Sequence, residues 1–239
     1  MEKLVYLVYE RPSVDPAELR RRFLDEVAPQ LLTLEPHALQ MDLDDEHAQL
    51  QSMVPVPSDE LPVRACVSLW LDAHDGRVSY EDVLRAAGVR LAGYLVTESL
   101  FREYGDNEHS KPRDWPDGTR SPGIITLTVF DKPQGVDDET FYGHWYSHQS
   151  TMSEDMQPRA RYVRNAVARA VTPGAPRLRA IVEEAWPSVE HVTNLHTFFG
   201  ATSNEQLGEN IRVMLDSTKL LYDPATMRNY PLSEYILKS

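Results

Sequence analysis

Two stretches decide how this chain folds: Tyr6-Leu7-Val8-Tyr9-Glu10-Arg11-Pro12 and Leu127-Thr128-Val129-Phe130-Asp131-Lys132-Pro133. Each is an apolar run ending in an acidic-basic-Pro corner, which reads as a strand stopped by a turn. Val14-Asp15 follows the first and Val136-Asp137 the second, and each leads into a helical apolar pair, Leu19 and Phe23 in one case, Phe141 and Trp145 in the other. The offset is 121 at the strand (133 − 12) and 122 at the helix (145 − 23), which places one inserted residue in Gln134-Gly135. The ends match too: Tyr94-Leu95-Val96-Thr97-Glu98 is similar to Tyr230-Pro231-Leu232-Ser233-Glu234. The chain therefore reads as two diverged copies of one unit.

Outward from these anchors, each copy follows the order β-α-β-β-α-β. Copy one has strands Leu4–Glu10, His37–Leu43, Arg64–Asp72 and Leu91–Phe101, with helices Asp15–Leu32 and Ser79–Ala87. Copy two has strands Ile124–Asp131, Arg161–Ala170, His191–Gly200 and Pro231–Leu237. Its helices are Asp137–His148, an extra Arg177–Trp186, and Asn204–Leu221. Asp15 and Asp137 suit the N-cap position, and Pro16 the first helical turn. The fold class is α+β, with two ferredoxin-like βαββαβ modules in one chain. Residues 1–106 form the first module and 123–239 the second. The Pro- and Gly-containing segment 107–122 is the linker. Strand alternation sends Val67, Leu69 and Leu71 toward helices, and Cys66, Ser68 and Trp70 toward the second sheet. The same reasoning puts Asn194, His196 and Phe198 on the inner side of copy two. Packing sheet to sheet as a pseudo-dimeric α/β barrel would cover both inner faces and enclose a cavity.

Composition sets the outer limits. The 239 residues are 41% hydrophobic and 26% charged, enough for two small domains that support each other. The formal charge of −13 argues against nucleic acid and against an anionic membrane surface. Cys66 is the only cysteine, which rules out an internal disulfide and a thiolate cluster. No run is long and apolar enough to span a bilayer, and Met1 to Arg11 does not read as a secretory signal, so the expected location is cytoplasmic. No nucleophile elbow, phosphate loop or dinucleotide fingerprint is present. The acidic runs Asp42–Glu46 and Glu183-Glu184 read as solvated faces.

Three motifs carry a family resemblance. Val8-Tyr9-Glu10-Arg11-Pro12, the helix Phe141-Tyr142-Gly143-His144-Trp145-Tyr146-Ser147-His148 and the strand Arg161-Tyr162-Val163-Arg164-Asn165 resemble the EthD-like proteins of the dimeric α/β-barrel superfamily. This chain departs from the pattern at Glu26, which stands in copy one where copy two has His148, and at Ala166, where the family often has a histidine. Copy one is then a structural partner, and copy two carries the candidate site.

The resemblance implies a cofactor-independent enzyme of lyase, isomerase or cyclase type. It would act by proton transfer on a small hydrophobic, aromatic or polyketide-like compound. His148 shares the inward helical stripe with Trp145 and Phe141, so it is the candidate general acid/base. Tyr162 and His196 would orient a substrate oxygen. Phe141, Trp145, Arg164, Asn165, Asn194, Phe198 and Trp70 would line the pocket, with Tyr162 and Arg164 on one strand face and Asn165 on the other. His144 and His148 are spaced to hold a metal, but only His196 could be a third ligand, and His144 aligns with Arg22 on a solvated flank. Neither a metal nor a cofactor is expected. Two alternatives stand beside the enzyme: a haem-handling or oxygenase member of the superfamily, with His148 or His196 as axial ligand, and a non-catalytic small-ligand binder. The expected partners are a small hydrophobic or aromatic molecule and, as a homodimer, a second copy of the chain.

Overall fold

The computed structural model describes residues 1–52, 54 and 56–239. Its eight strands are β1 Glu2–Tyr9, β2 Ala38–Leu43, β3 Val63–Leu71, β4 Arg90–Arg102, β5 Ile124–Phe130, β6 Arg161–Ala170, β7 Ala180–Trp186 and β8 Arg228–Lys238. They close into one barrel in the order β1-β3-β2-β8-β5-β7-β6-β4. Each half keeps the ferredoxin-like order, β4-β1-β3-β2 in the first and β8-β5-β7-β6 in the second. The seams between them are antiparallel ladders, β2 on β8 and β4 on β6. Closure pairs the edge strands that each sheet alone would leave open. The two modules thus form the pseudo-dimeric α/β barrel the repeat predicts.

Strand register fixes the repeat more finely than sequence matching. Tyr6 sits between Val67 and Gly93, and Thr128 sits between Val182 and Asn229, so the strand offset is 122 (128 − 6). An odd offset would pair Tyr6, which packs with Phe23 on the helix side, with Leu127, which faces the barrel interior. The expected one-residue insertion in Gln134-Gly135 is therefore absent.

Helix α1 runs through an α segment Pro16–Arg21, a π segment Arg22–Val27 and an α segment Ala28–Thr33. Helix α2 is Val78–Ala86. Helix α3 repeats the three-part form, with α segment Asp138–His144, π segment Trp145–Gln149 and α segment Ser150–Glu154. Asp15 and Asp137 cap the two starts, accepting from Glu18 N and Thr140 N. The two halves thus share a π turn at matching positions.

Copy two differs from the sequence reading in one region. The stretch taken as a helix, Arg177–Trp186, supplies β7, and the stretch taken as a strand, His191–Gly200, forms two short helices, α4 Glu190–Thr193 and α5 Leu195–Phe198. Asn194 caps α5 by accepting from His196 N and Thr197 N, a local turn that outweighs the β-favouring Val, Thr and Phe around it. Helix α6, Asn204–Thr218, completes the fold.

Val67, Leu69 and Leu71 do pack toward α1 and α2, and Cys66 and Ser68 face inward. The enclosed space, however, is filled by side chains. Val5, Leu7, Tyr94, Ile125, Leu127 and Leu232 form an apolar interior. Beside it lies a polar layer in which Lys3 meets Glu98 at 2.8 Å and Glu183 at 3.3 Å. Arg161 meets Glu234 at 3.1 Å, and the Tyr104 hydroxyl donates to Glu234 at 2.9 Å. Asp42 and Glu183, read as solvated, are buried here because their strands are lined by the facing sheet. Burial drives the Cys66 thiol well above its ordinary value, as expected of an inert thiol.

Burial, with the charges of Glu183 and Glu234, also raises the Asp42 carboxyl well above its ordinary value. The folded chain therefore holds that proton more tightly than the unfolded chain. Stability falls as pH rises from the ordinary carboxylate range through the raised value. Asp42→Asn should stabilise the protein at pH 8 by about 1–2 kcal/mol, with the gain fading toward pH 4. Denaturant titrations of both proteins at several pH values check this, and a destabilised variant at pH 8 would count against it.

Candidate active site

A cavity of about 190 Å³ lies between the outer face of the second sheet and helices α3 and α6, not between the two sheets. Its origin is visible by comparing the halves. In the first half the paired residues Leu4 and Leu69 fill the sheet's outer face, with Tyr6 beside them. The equivalent pair in the second half is Thr126 and Glu184, with Thr128 in the place of Tyr6. Large apolar groups are replaced by two hydroxyls and a carboxylate, so the core opens and acquires a polar end. The covering helix contributes to the same effect, since only Ser217 and Thr218 of α6 are buried, whereas α2 buries Tyr80 and Leu84.

The polar end is held from behind. Arg159, 1% exposed, donates from Nη1 to Glu184 Oε1 at 2.7 Å and from Nη2 to Ser153 Oγ at 2.9 Å and Glu154 Oε2 at 3.2 Å. Trp186 Nε1 donates to Thr126 Oγ1 at 2.8 Å, and that hydroxyl lies 3.5 Å from Glu184 Oε2. Glu184 Oε2 is thus the oxygen with capacity to spare. Gln157 is buried, lines the same cavity, and its side-chain amide makes no hydrogen bond to the described residues. A carboxylate and a free amide are complementary to a ligand edge carrying a hydroxyl and a carbonyl. Phe130, Trp145, Tyr162, Phe198 and Tyr222 supply aromatic walls.

Of the residues singled out from sequence, Trp145, Tyr162 and Phe198 line this cavity. The Tyr162 hydroxyl accepts from Trp145 Nε1 at 3.2 Å, and burial raises its ionisation above the ordinary phenol range against the pull of Arg159, whose guanidinium lies 4.1 Å from the ring. Phe141 packs behind Trp145 at a ring separation of 5.6 Å. Arg164 shares the outer strand face with Tyr162 but donates to Ser150 Oγ and Ser99 Oγ. Asn165 faces the barrel interior and donates to Glu183 at 2.8 Å. Trp70 is in the first half, bonded to Glu98.

The histidines do not gather there. His148 is exposed, because the π turn at Trp145–Gln149 adds a residue and brings Gln149 and Ser150 to the inward stripe instead. His196, expected to point into a cavity from a strand, sits on α5 with its ring against Ala201 O and Asn204 Oδ1. Asn194 is exposed as the α5 cap. His144 bonds Ser217 through Nε2 at 2.9 Å, and burial lowers its ionisation. Its ring lies 5.0 Å from that of His148, but the described residues bring no third ligand group to the pair. This cavity does not fit a haem. The cavity is smaller than a tetrapyrrole and no imidazole lines it, and the two proposed axial histidines lie elsewhere.

Glu184, Gln157 and Arg159 are the groups that sequence reasoning missed. Strand alternation across Val182-Glu183-Glu184-Ala185 would have sent one glutamate to each face, but the helical reading of that stretch concealed it.

No protein-family profile and no curated protein matches this chain. Solved structures do. An anthrone oxidase-like protein is 10% identical and superposes with a TM-score of 0.60, covering 100% of this chain and 94% of its own. A protein of Fusobacterium nucleatum subsp. nucleatum named as a monooxygenase is 9% identical, with a TM-score of 0.50 and coverage of 99% and 92%. These likenesses establish the fold, that of the dimeric α/β-barrel proteins. No helix among the described residues is long and apolar enough to cross a membrane.

Proposed function

We propose that the chain is a tandem EthD-like, cofactor-independent enzyme. It acts on a small aromatic or polyketide-like compound bound in the sheet–helix cavity of the second half. The observation that carries this reading is Glu184, a carboxylate anchored by a buried arginine and opening with one oxygen onto a cavity with aromatic walls. Such a group takes a proton from an acidic C–H or O–H while Gln157 donates to the neighbouring carbonyl. The resulting enolate or phenolate then isomerises, cyclises or expels a leaving group, and Glu184 returns the proton. The likeness to an anthrone oxidase-like protein supports a second course, in which the same enolate reacts with dioxygen.

The test is exchange of acidic C–H protons for deuterium in one- and two-ring hydroxy-ketones, followed by NMR, with oxygen uptake measured in parallel. Glu184→Gln should lower the exchange rate by roughly 100-fold or more, and His148→Ala should leave it within about twofold. Equal rates in wild type and Glu184→Gln would overturn the proposal. Tight binding of such compounds with no exchange would mark the chain as a non-catalytic binder.

A further inference from the structure

Where β1 and β5 end, the barrel interior opens into a second, larger cleft of about 660 Å³. Its floor is apolar, formed by Val129 and Leu178 beside the rings of Tyr9 and Tyr230. Both tyrosines are nine-tenths buried, and burial raises both phenols above their ordinary range. Neither O–H hydrogen has an acceptor among the described residues. Arg90 itself lies at the rim with its guanidinium 3.8 Å from the Tyr9 ring centre, and no described carboxylate pairs with it. The other two cleft arginines are already committed, Arg228 to Glu60 at 2.6 Å and Arg177 to Asp131 at 3.0 Å. Asp59, the third acid, is exposed on the rim.

Two phenol hydrogens without an acceptor and one guanidinium outside any ion pair stand above an apolar floor, while Glu60 and Asp131 beside them are held by Arg228 and Arg177. We propose that this cleft is a second binding site, for a small carboxylate with an aromatic or branched apolar body. The carboxylate meets Arg90 and the tyrosine hydroxyls, and the body covers Val129 and Leu178. The site is separate from the catalytic cavity, although one strand divides them. At the start of β8, Asn229 and the preceding Met227 face the cavity while Arg228 and Tyr230 face the cleft.

Calorimetric titration of the full chain with sodium naphthoate tests the proposal, with naphthalenemethanol as the uncharged comparison. Naphthoate should bind saturably and the alcohol more weakly. Arg90→Gln should weaken naphthoate roughly tenfold, as expected for a lost charged hydrogen bond. Tyr230→Phe, which removes only the unspent hydroxyl, should weaken it a few-fold, and Glu184→Gln should leave it unchanged. The cleft is not the site if naphthoate fails to saturate at millimolar concentration or binds Arg90→Gln as well as wild type. The same holds if its binding is lost in Glu184→Gln alone.

Discussion

Lys3→Ala is expected to destabilise the protein by about 3–5 kcal/mol, the range for removing one partner of a buried ion pair. Lys3 is 4% exposed, and its ammonium lies 4.6 Å from the centre of the Trp70 ring. It holds Glu98 of its own half and Glu183 of the other. Burial works to raise the Glu183 carboxyl, yet the charges of Lys3 and Arg161 outweigh it and hold the group below its ordinary value. In the wild type that depressed carboxyl contributes stability above the ordinary carboxylate range, lost as pH falls through the folded value. Without Lys3 the balance shifts toward desolvation, so the Lys3→Ala penalty should be larger at pH 8 than at pH 5. Lys3→Met with Glu183→Gln removes both charges and should recover much of the loss. Denaturant midpoints for the single and double variants give the coupling directly. A Lys3→Ala protein within 1 kcal/mol of wild type would mean that water reaches the barrel interior.

The polar layer around Lys3 also shows where sequence reading stops. The matching fold of the two halves was legible because turn chemistry and helix caps are local: the Pro corners, Asp15 and Asp137 announce themselves within a few residues. The facing of β3 was legible for the same reason, since Cys66 and Ser68 alternate with Val67 and Leu69. Burial of Asp42 and Glu183 was not, because a carboxylate on a strand looks solvated until its cross-barrel partner is known. Lys3 and Glu183 lie 180 residues apart. The site failed for a different reason. Helical spacing assumes 3.6 residues per turn, and one π turn moved His148 out and Gln149 in. Leu4 and Tyr6 against Thr126 and Thr128, at an offset of 122 (126 − 4), and Leu69 against Glu184, at 115 (184 − 69), would have located the cavity in sequence, but only with the offsets that strand register supplies.

Arg159→Met should produce the largest combined effect, because stability and the proposed chemistry meet at that side chain. Its guanidinium is fully enclosed, with Nη1 on Glu184 and Nη2 on Ser153 and Glu154. Methionine fills a similar volume but leaves Glu184 without a cation. Glu154 keeps Arg102 at 2.8 Å, so the uncompensated charge falls on the cavity side. The expected cost is about 3–5 kcal/mol. Lysine cannot reproduce the fork that spans both carboxylates, so Arg159→Lys should lose part of that amount, and Glu184→Gln less, since its amide oxygen still accepts from Arg159. Exchange activity should follow another order. Glu184→Gln and Arg159→Met should both be severely impaired, the first through loss of the base and the second through loss of its position. Adding Glu184→Gln to Arg159→Met should recover stability without recovering exchange. Should Arg159→Met fold within 1 kcal/mol of wild type and exchange protons at the wild-type rate, the arginine neither supports the fold nor aims the carboxylate.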